Sequence, residues 1–404
     1  IVIINRERER EMEGECRDVP KQLASFVDAF VDFSVSGGLF LPPPPPLPSD
    51  DLIRTHYPQP DRLVAIGDIH GDLDKTKQAL RLAGLIDSHD RWSGGSTTVV
   101  QVGDVLDRGA DEIKALYYLE RLRREAVKAG GDVITMNGNH EIMNVQGDFR
   151  YVTKLGLEEF KDWTFWYNLG ERMKSSCLGL GKGKDIFQGI PLTFPKMKGE
   201  FFSGFRSRIA ALRPNGPIAE RFLARNATVL VVGESVFVHG GLLKEHVVEH
   251  GLEGINAEVR DWIRGLSGGP DAAPGYCRGR NAVVWLRKFS DEVASRCDCS
   301  ALEHVLATIP GARRMIMGHT IQEGGINAAC NGKAIRIDVG MSKGCINGLP
   351  EVLEIGRESG LRVLTSNPLY QSKPESHYGK SGEKEEERGL LMPENGPRQV
   401  QVKA

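Results

Sequence analysis

Residues 63–71 read Leu-Val-Ala-Ile-Gly-Asp-Ile-His-Gly. Four apolar residues form a short buried strand, and a glycine turn then presents Asp68 and His70. The same design recurs downstream. Thr97–Val102 runs into Gly103-Asp104-Val105-Leu106-Asp107-Arg108-Gly109, and Val133–Met136 runs into Gly138-Asn139-His140-Glu141. Val236–Val238 leads to His239-Gly240-Gly241, and Met315–Met317 leads to Gly318-His319-Thr320. Helix-forming sequence from Asp74 to Ala83 and from Asp111 to Ala129 separates the first three strands. Strand alternating with helix predicts an α/β fold. Further strands are expected at 228–232, 334–337, 352–355 and 361–364.

In such sheets, ligands collect outside the carboxyl ends of strands. Five polar ends folded together would bring Asp68, His70, Asp104, Asn139, His140, His239 and His319 to one crevice. A single Asp-x-His, or a lone histidine, is more often structural than a ligand. It is the ordered set that carries the argument. The donors are oxygen and imidazole nitrogen, without thiolate, which suits Mn, Fe or Zn. Two ions about 3.5–4 Å apart can activate water for in-line attack on phosphorus. A histidine near neutral pH is suited to protonating the leaving oxygen, and arginine forks suit the phosphoryl oxygens.

The remaining chain sets the frame. Hydrophobic residues make up 40% and charged residues 26% of 404, the balance of a globular protein with a sizeable core. The net charge of −2 provides no global attraction for nucleic acid. No apolar run approaches the ~20 residues that a transmembrane helix needs. Residues 1–60 are expected to be an N-terminal extension, with a helix near 21–36 and a polyproline spacer at Pro42–Pro46. Residues 61–365 form the expected catalytic domain. Within it, 150–225 is an insert rich in aromatic and basic residues, including Trp163, Trp166, Phe201, Phe202 and Phe205. The charged tail 366–404 is expected to lack structure. Seven scattered cysteines without a paired C-x-x-C set are read as reduced thiols. The cytosol is the default compartment, and the odd cysteine count leaves the mitochondrial intermembrane space open.

The five segments together resemble the phosphoprotein phosphatase branch of the calcineurin-like metallophosphoesterases. Within that branch the chain is most similar to the Shewanella-like protein phosphatases of plants, especially the non-chloroplast group. The resemblance covers roughly residues 60–360. It implies a central β-sandwich flanked by helices, in four α/β/β/α layers. It also implies two divalent ions, with manganese the expected choice in vitro. Asp68 and His70 would bind the first metal, Asp104 would bridge, and Asn139, His239 and His319 would complete the second. His140 would be the general acid, oriented by Asp107, and Arg108 would hold phosphate. Val284-Trp285-Leu286-Arg287 resembles the family's Val-Trp-Tyr-Arg element, so Arg287 is the expected second phosphate ligand and Arg278 its rival. Gly318-His319-Thr320-Ile321 lacks the second histidine of the wider Gly-His-x-His class, which points away from nucleases.

The implied activity is a metal-dependent protein phosphatase acting on a phosphorylated protein. A leaning toward phosphotyrosine is expected, with the aromatic insert as walls of a deeper cleft. A dinucleoside polyphosphate hydrolase is the second enzymatic reading. A metal-binding scaffold without turnover is the third, and the intact ligand set speaks against it.

Overall fold

The computed structural model describes residues 21–43, 53–178, 185–357, 360–368 and 398–401. Pro44–Pro46 of the proline run and most of the charged tail lie outside these residues.

Helix α1 spans 21–35. Its Val27, Val31 and Val35, spaced by four, are buried in the core of the molecule, while Phe26 and Phe30 remain exposed. The first sheet takes strands β2 (Arg62–Ile66), β3 (Thr98–Gln101) and β4 (Asp132–Thr135), which run parallel. Strands β10 (Glu351–Gly356) and β11 (Gly360–Thr365) extend it antiparallel. Crossover helices α2 (Leu73–Leu82) and α3 (Glu112–Lys128) connect the parallel strands. Asp72 caps α2 by accepting from the Lys75 amide at 3.1 Å.

The second sheet is built from β1 (His56–Tyr57), β5 (Val229–Val232), β6 (Ser235–Val238) and β7 (Arg314–Met317). Strands β8 (Asn327–Ala329) and β9 (Ala334–Arg336) complete it. Its order is β1-β5-β6-β7-β9-β8, and β6 is parallel to β7. Helix α8 (Lys244–Ile263) lies against this sheet through β5. Among the described residues each sheet has six strands and is mixed. Helices flank both, as expected. The sheets meet beside the crevice, where the Asn137 amide donates to the Ala227 carbonyl at 2.9 Å.

Three expectations need correction. First, the tail is not wholly without structure. Residues Arg398–Gln401 form β12 on the free edge of β11, from Arg362↔Gln401 to Thr365↔Arg398. An unpaired edge offers backbone partners that composition does not reveal. Second, the cysteines are not all thiols. Cys299, which opens helix α9 (Cys299–Leu306), is disulfide-bonded to Cys330 beyond β8. The two lie 31 residues apart in sequence, and only the fold brings them together.

Third, the insert's tryptophans and phenylalanines do not wall a cleft; its aromatic residue beside the crevice is Tyr151, whose ring lies 5.0 Å from that of His140. The insert forms helices α5 (Lys154–Leu178), α6 (Phe202–Leu212) and α7 (Pro217–Arg221). Trp163 stacks on Tyr167, Phe205 meets Phe149 and Phe194, Phe202 meets Phe194, and Trp166 meets Phe30. These rings spend their area on packing the insert together and onto α1.

Candidate metal centre

The parallel strands deliver their polar turns to one place. Asp68 and His70 follow β2, Asp104 follows β3, and Asn139 and His140 open helix α4 (Asn139–Val145) after β4. From the second sheet, His239 follows β6 and His319 follows β7. All seven side chains are buried. The Asp104 carboxylate is the hub. Its Oδ2 lies 3.7 Å from His70 Nε2, 3.8 Å from His140 Nε2 and 3.2 Å from His239 Nε2. Two donor groups share it, His70–Asp104–His140 and Asp104–His239–His319, each within 4.8 Å. Asn139 Oδ1 lies 2.9 Å from His239 Nε2, and the His319 amide donates to Asp68 Oδ2 at 3.2 Å.

The donor set fits divalent cations. Among the described residues, buried His319 Nε2 has no hydrogen-bond partner, as a ligand nitrogen would in the absence of its ion. A Cβ on Gly138 would sit 2.2 Å from Asp104 Oδ1, and one on Gly318 would sit 2.3 Å from Asp68 Oδ1. Only glycine lets these carboxylates come so close to the backbone. The first donor group includes His140, whereas the family resemblance makes that residue the acid. The hydrogen bonds explain the overlap: His140 Nδ1 donates to Asp107 Oδ2 at 2.6 Å, so Nε2 faces the crevice.

The backbone around the site is strained. His70, Asp104, Asp107, Arg108 and His319 all have φ between 43° and 68°. Such left-handed non-glycine residues persist only where surrounding structure imposes them. A carboxylate supplies that structure here. Buried Glu141 accepts from the amides of Asp104 (2.8 Å), Val105 (2.9 Å), Leu106 (3.0 Å) and Gly138 (2.7 Å). It thus clamps the β3 and β4 turns together. Glu112 does the same for Asp107, accepting its amide at 2.8 Å.

The electrostatics follow from this geometry. Burial alone would raise the Asp104 pKa, but the fields of His239 and His140 hold it well below the usual carboxylate range. Asp68 is pushed well up by burial and by the neighbouring carboxylates Asp338 and Asp104. Burial opposes protonation of His140, yet Asp104 and Asp107 outweigh it and raise its pKa. Burial lowers His70 to about 4 and His319 well below the ordinary histidine value, leaving both neutral and ligand-ready.

Arg287 sits at the rim. It donates to the His319 carbonyl at 3.0 Å and to Thr320 Oγ1 at 2.9 Å. Burial lowers its pKa against the opposing field of nearby Asp68. Arg108 lies over the Tyr151 ring at 5.0 Å, and its buried Nε has no hydrogen-bond partner among the described residues. Arg278 is instead tied to the Asp271 carbonyl, away from the ligands.

Sequence reading missed three residues here. Arg208 of α6, fully buried, donates to Asp107 Oδ1 at 2.8 Å, to both Glu112 oxygens at 2.9 and 2.7 Å, and to Asn144 Oδ1 at 2.8 Å. Glu112 and Asp338 are the others. A charged residue on an apolar helix face was the available signal for Arg208. Nothing local marks Asp338, since its significance is its position against Asp68.

The sequence profile of the calcineurin-like phosphoesterases matches residues 61–322. The chain belongs to that family. It is 63% identical to Shewanella-like protein phosphatase 2 of Arabidopsis thaliana, over 97% of this chain and 98% of the relative. Shewanella-like protein phosphatase 1 of Plasmodium berghei is 30% identical, covering 70% of this chain and 67% of the relative. These matches make the chain a Shewanella-like protein phosphatase, a phosphoric monoester hydrolase of the metallophosphoesterase class. Among solved structures, a cold-active protein-tyrosine phosphatase of a psychrophilic Shewanella shares the fold. Its TM-score is 0.53 at 20% identity, with 80% of this chain and 86% of that one covered.

Proposed function

We propose that two divalent ions would be held here, the first by Asp68, His70 and Asp104 and the second by Asp104, Asn139, His239 and His319. Manganese is the proposed ion for activity in vitro. The single observation behind this reading is that Asp104 belongs to both donor groups. When bound, the pair supplies a nucleophile from water and offsets charge on the phosphoryl group.

The protein's own residues do the rest. Arg108 and Arg287 hold the phosphoryl oxygens. Asp107 accepts a hydrogen bond from His140 Nδ1–H, which fixes the ring and leaves Nε2–H aimed into the crevice. His140 then gives that proton to the leaving oxygen. Arg208 and Glu112 fix Asp107 in turn.

Phosphotyrosine is the proposed preferred substrate. Tyr151 lies 5.0 Å from the His140 ring and Trp285 lies 5.6 Å from the His319 ring, so aromatic side chains flank both sides of the crevice. A phenolic leaving group would pack between them. The Cys299–Cys330 disulfide favours an oxidising compartment, the intermembrane space over the cytosol. No helix among the described residues is long and apolar enough to cross a membrane.

The test is a panel of matched phosphotyrosine, phosphoserine and phosphothreonine peptides with diadenosine tetraphosphate, assayed with Mn²⁺. Faster turnover of phosphotyrosine is expected. His140→Asn should lower kcat by roughly 10²–10⁴-fold with metal content unchanged. Equal turnover of the three peptides removes the phosphotyrosine preference, and cleavage of the dinucleotide alone replaces the phosphatase reading.

A further inference from the structure

Beside the metal centre lies an open cleft of about 690 Å³. Its lining includes Arg150, Arg278, Arg280 and Arg287, with Asp148 the acidic residue among them. Asp148 is already engaged by Arg150, at 2.6 and 3.0 Å. Arg278 keeps its backbone anchor, and exposed Arg280 makes no hydrogen bond or ion pair among the described residues. The cleft is therefore strongly cationic in a protein whose net charge is −2.

The cleft also runs into the site. Met143, on its floor, accepts a weak hydrogen bond from Asn139 Nδ2 at 3.9 Å. Trp285 meets the His319 ring edge-on, and Arg287 bonds the His319 carbonyl. Three lining residues thus touch metal-ligand residues. A peptide whose phosphorylated side chain occupies the centre would lay its neighbouring residues in this cleft. One phosphoryl group at the metal centre engages Arg287 and leaves Arg278 and Arg280 without an anion to meet.

Resting on the phosphatase reading above, we propose that Arg278 and Arg280 form a specificity subsite for a second anionic side chain of the substrate, next to the phosphorylated residue. The anion is the carboxylate of a flanking Glu or Asp, or the phosphate of a second phosphorylated residue. Guanidinium forks bind both in the same bidentate way. Flanking acidity would then select among phosphoproteins, whereas the metal centre handles only the reacting phosphate.

The full-length, Mn²⁺-loaded protein is assayed with three phosphotyrosine peptides that differ only in flanking residues: Ala pair, Glu pair, or a second phosphorylated residue. The Glu and doubly phosphorylated peptides should show kcat/KM about tenfold or more above the Ala peptide, an advantage that shrinks with added salt. The larger of those two gains identifies the anion. Arg280→Glu should abolish the advantage while leaving p-nitrophenyl phosphate turnover unchanged. Arg280→Lys should restore part of it. A labelled, non-phosphorylated Glu-rich peptide should bind the wild type and not Arg280→Glu, by fluorescence anisotropy. That binding arm decides the subsite even if no phosphopeptide is turned over, an outcome that would defeat the phosphatase reading alone. Equal kcat/KM for the three peptides, or equal Glu-rich peptide binding by wild type and Arg280→Glu, overturns the inference.

Discussion

The two sheets contribute unequally to the candidate metal centre. The first supplies Asp68, His70, Asp104, Asn139 and His140, and with them the scaffold that fixes their turns. Glu141 gathers four backbone amides there, and Glu112 with Arg208 anchors Asp107. The second sheet supplies His239 and His319, and both are held by the first. His239 Nδ1 donates to the Val102 carbonyl at 2.9 Å, and the His319 amide donates to Asp68. One half is a charged platform that is costly to disturb. The other half lends donor atoms to it. Supports in the first half should therefore couple stability to activity, and ligands in the second half should not.

The largest effect is expected at Glu141. In Glu141→Ala, four buried amides lose their acceptor, and each orphaned group costs about 1–3 kcal/mol. Soluble yield, thermal stability and metal binding should all collapse together. A folded, active Glu141→Ala protein would show that the platform does not depend on this carboxylate.

Arg208→Met comes next. It leaves the Asp107 and Glu112 carboxylates buried without their cation, a loss of about 3–5 kcal/mol for a broken buried pair. Denaturant unfolding measures it, and kcat should fall as well because Asp107 loses its anchor. A change in kcat with unaltered stability would separate the acid's support from the fold.

His319→Ala sharpens the contrast from the other side. Metal analysis should show about one ion per chain in place of two, with turnover lost. The unfolding midpoint of the metal-free protein should barely move, because His319 Nε2 has no hydrogen-bond partner among the described residues to lose. A large destabilisation would erase the distinction between platform and donor.

The smallest effect is a shift of a pH profile. His140 must carry a proton to act, and Asp104 and Asp107 raise its pKa against burial. Asp107→Asn removes a negative charge and so lowers that pKa. Activity at high pH should then fail earlier, with the alkaline limb of kcat moving to lower pH. An unmoved limb would mean that another group donates the proton.

Much of this was legible in residues 63–71 and their four counterparts. Strand β2 was expected from Leu63 and begins at Arg62, and β3 was expected at 97–102 and spans Thr98–Gln101. Apolar runs ended by glycine and polar turns state their structure locally, so element type and the candidate ligands could be read without the fold. The short strands β1, β8 and β12 were not legible. They carry two, three and four residues, too few for a periodic signal, and exist because a neighbouring strand offers a ladder.

The sequence by itself determined the candidate ligand types, their order and the strand ends that carry them, because those depend on residues adjacent in the chain. Tertiary structure alone decided what stands behind and beside them. Arg208 meets Asp107 across 101 positions and Glu112 across 96, and Cys299 reaches Cys330 across 31. The arginines of the cleft come from separate loops before α5 and before α9. Buried charges must find partners of opposite sign wherever the chain can bring them. That search is settled by packing in three dimensions, and no local period records its result.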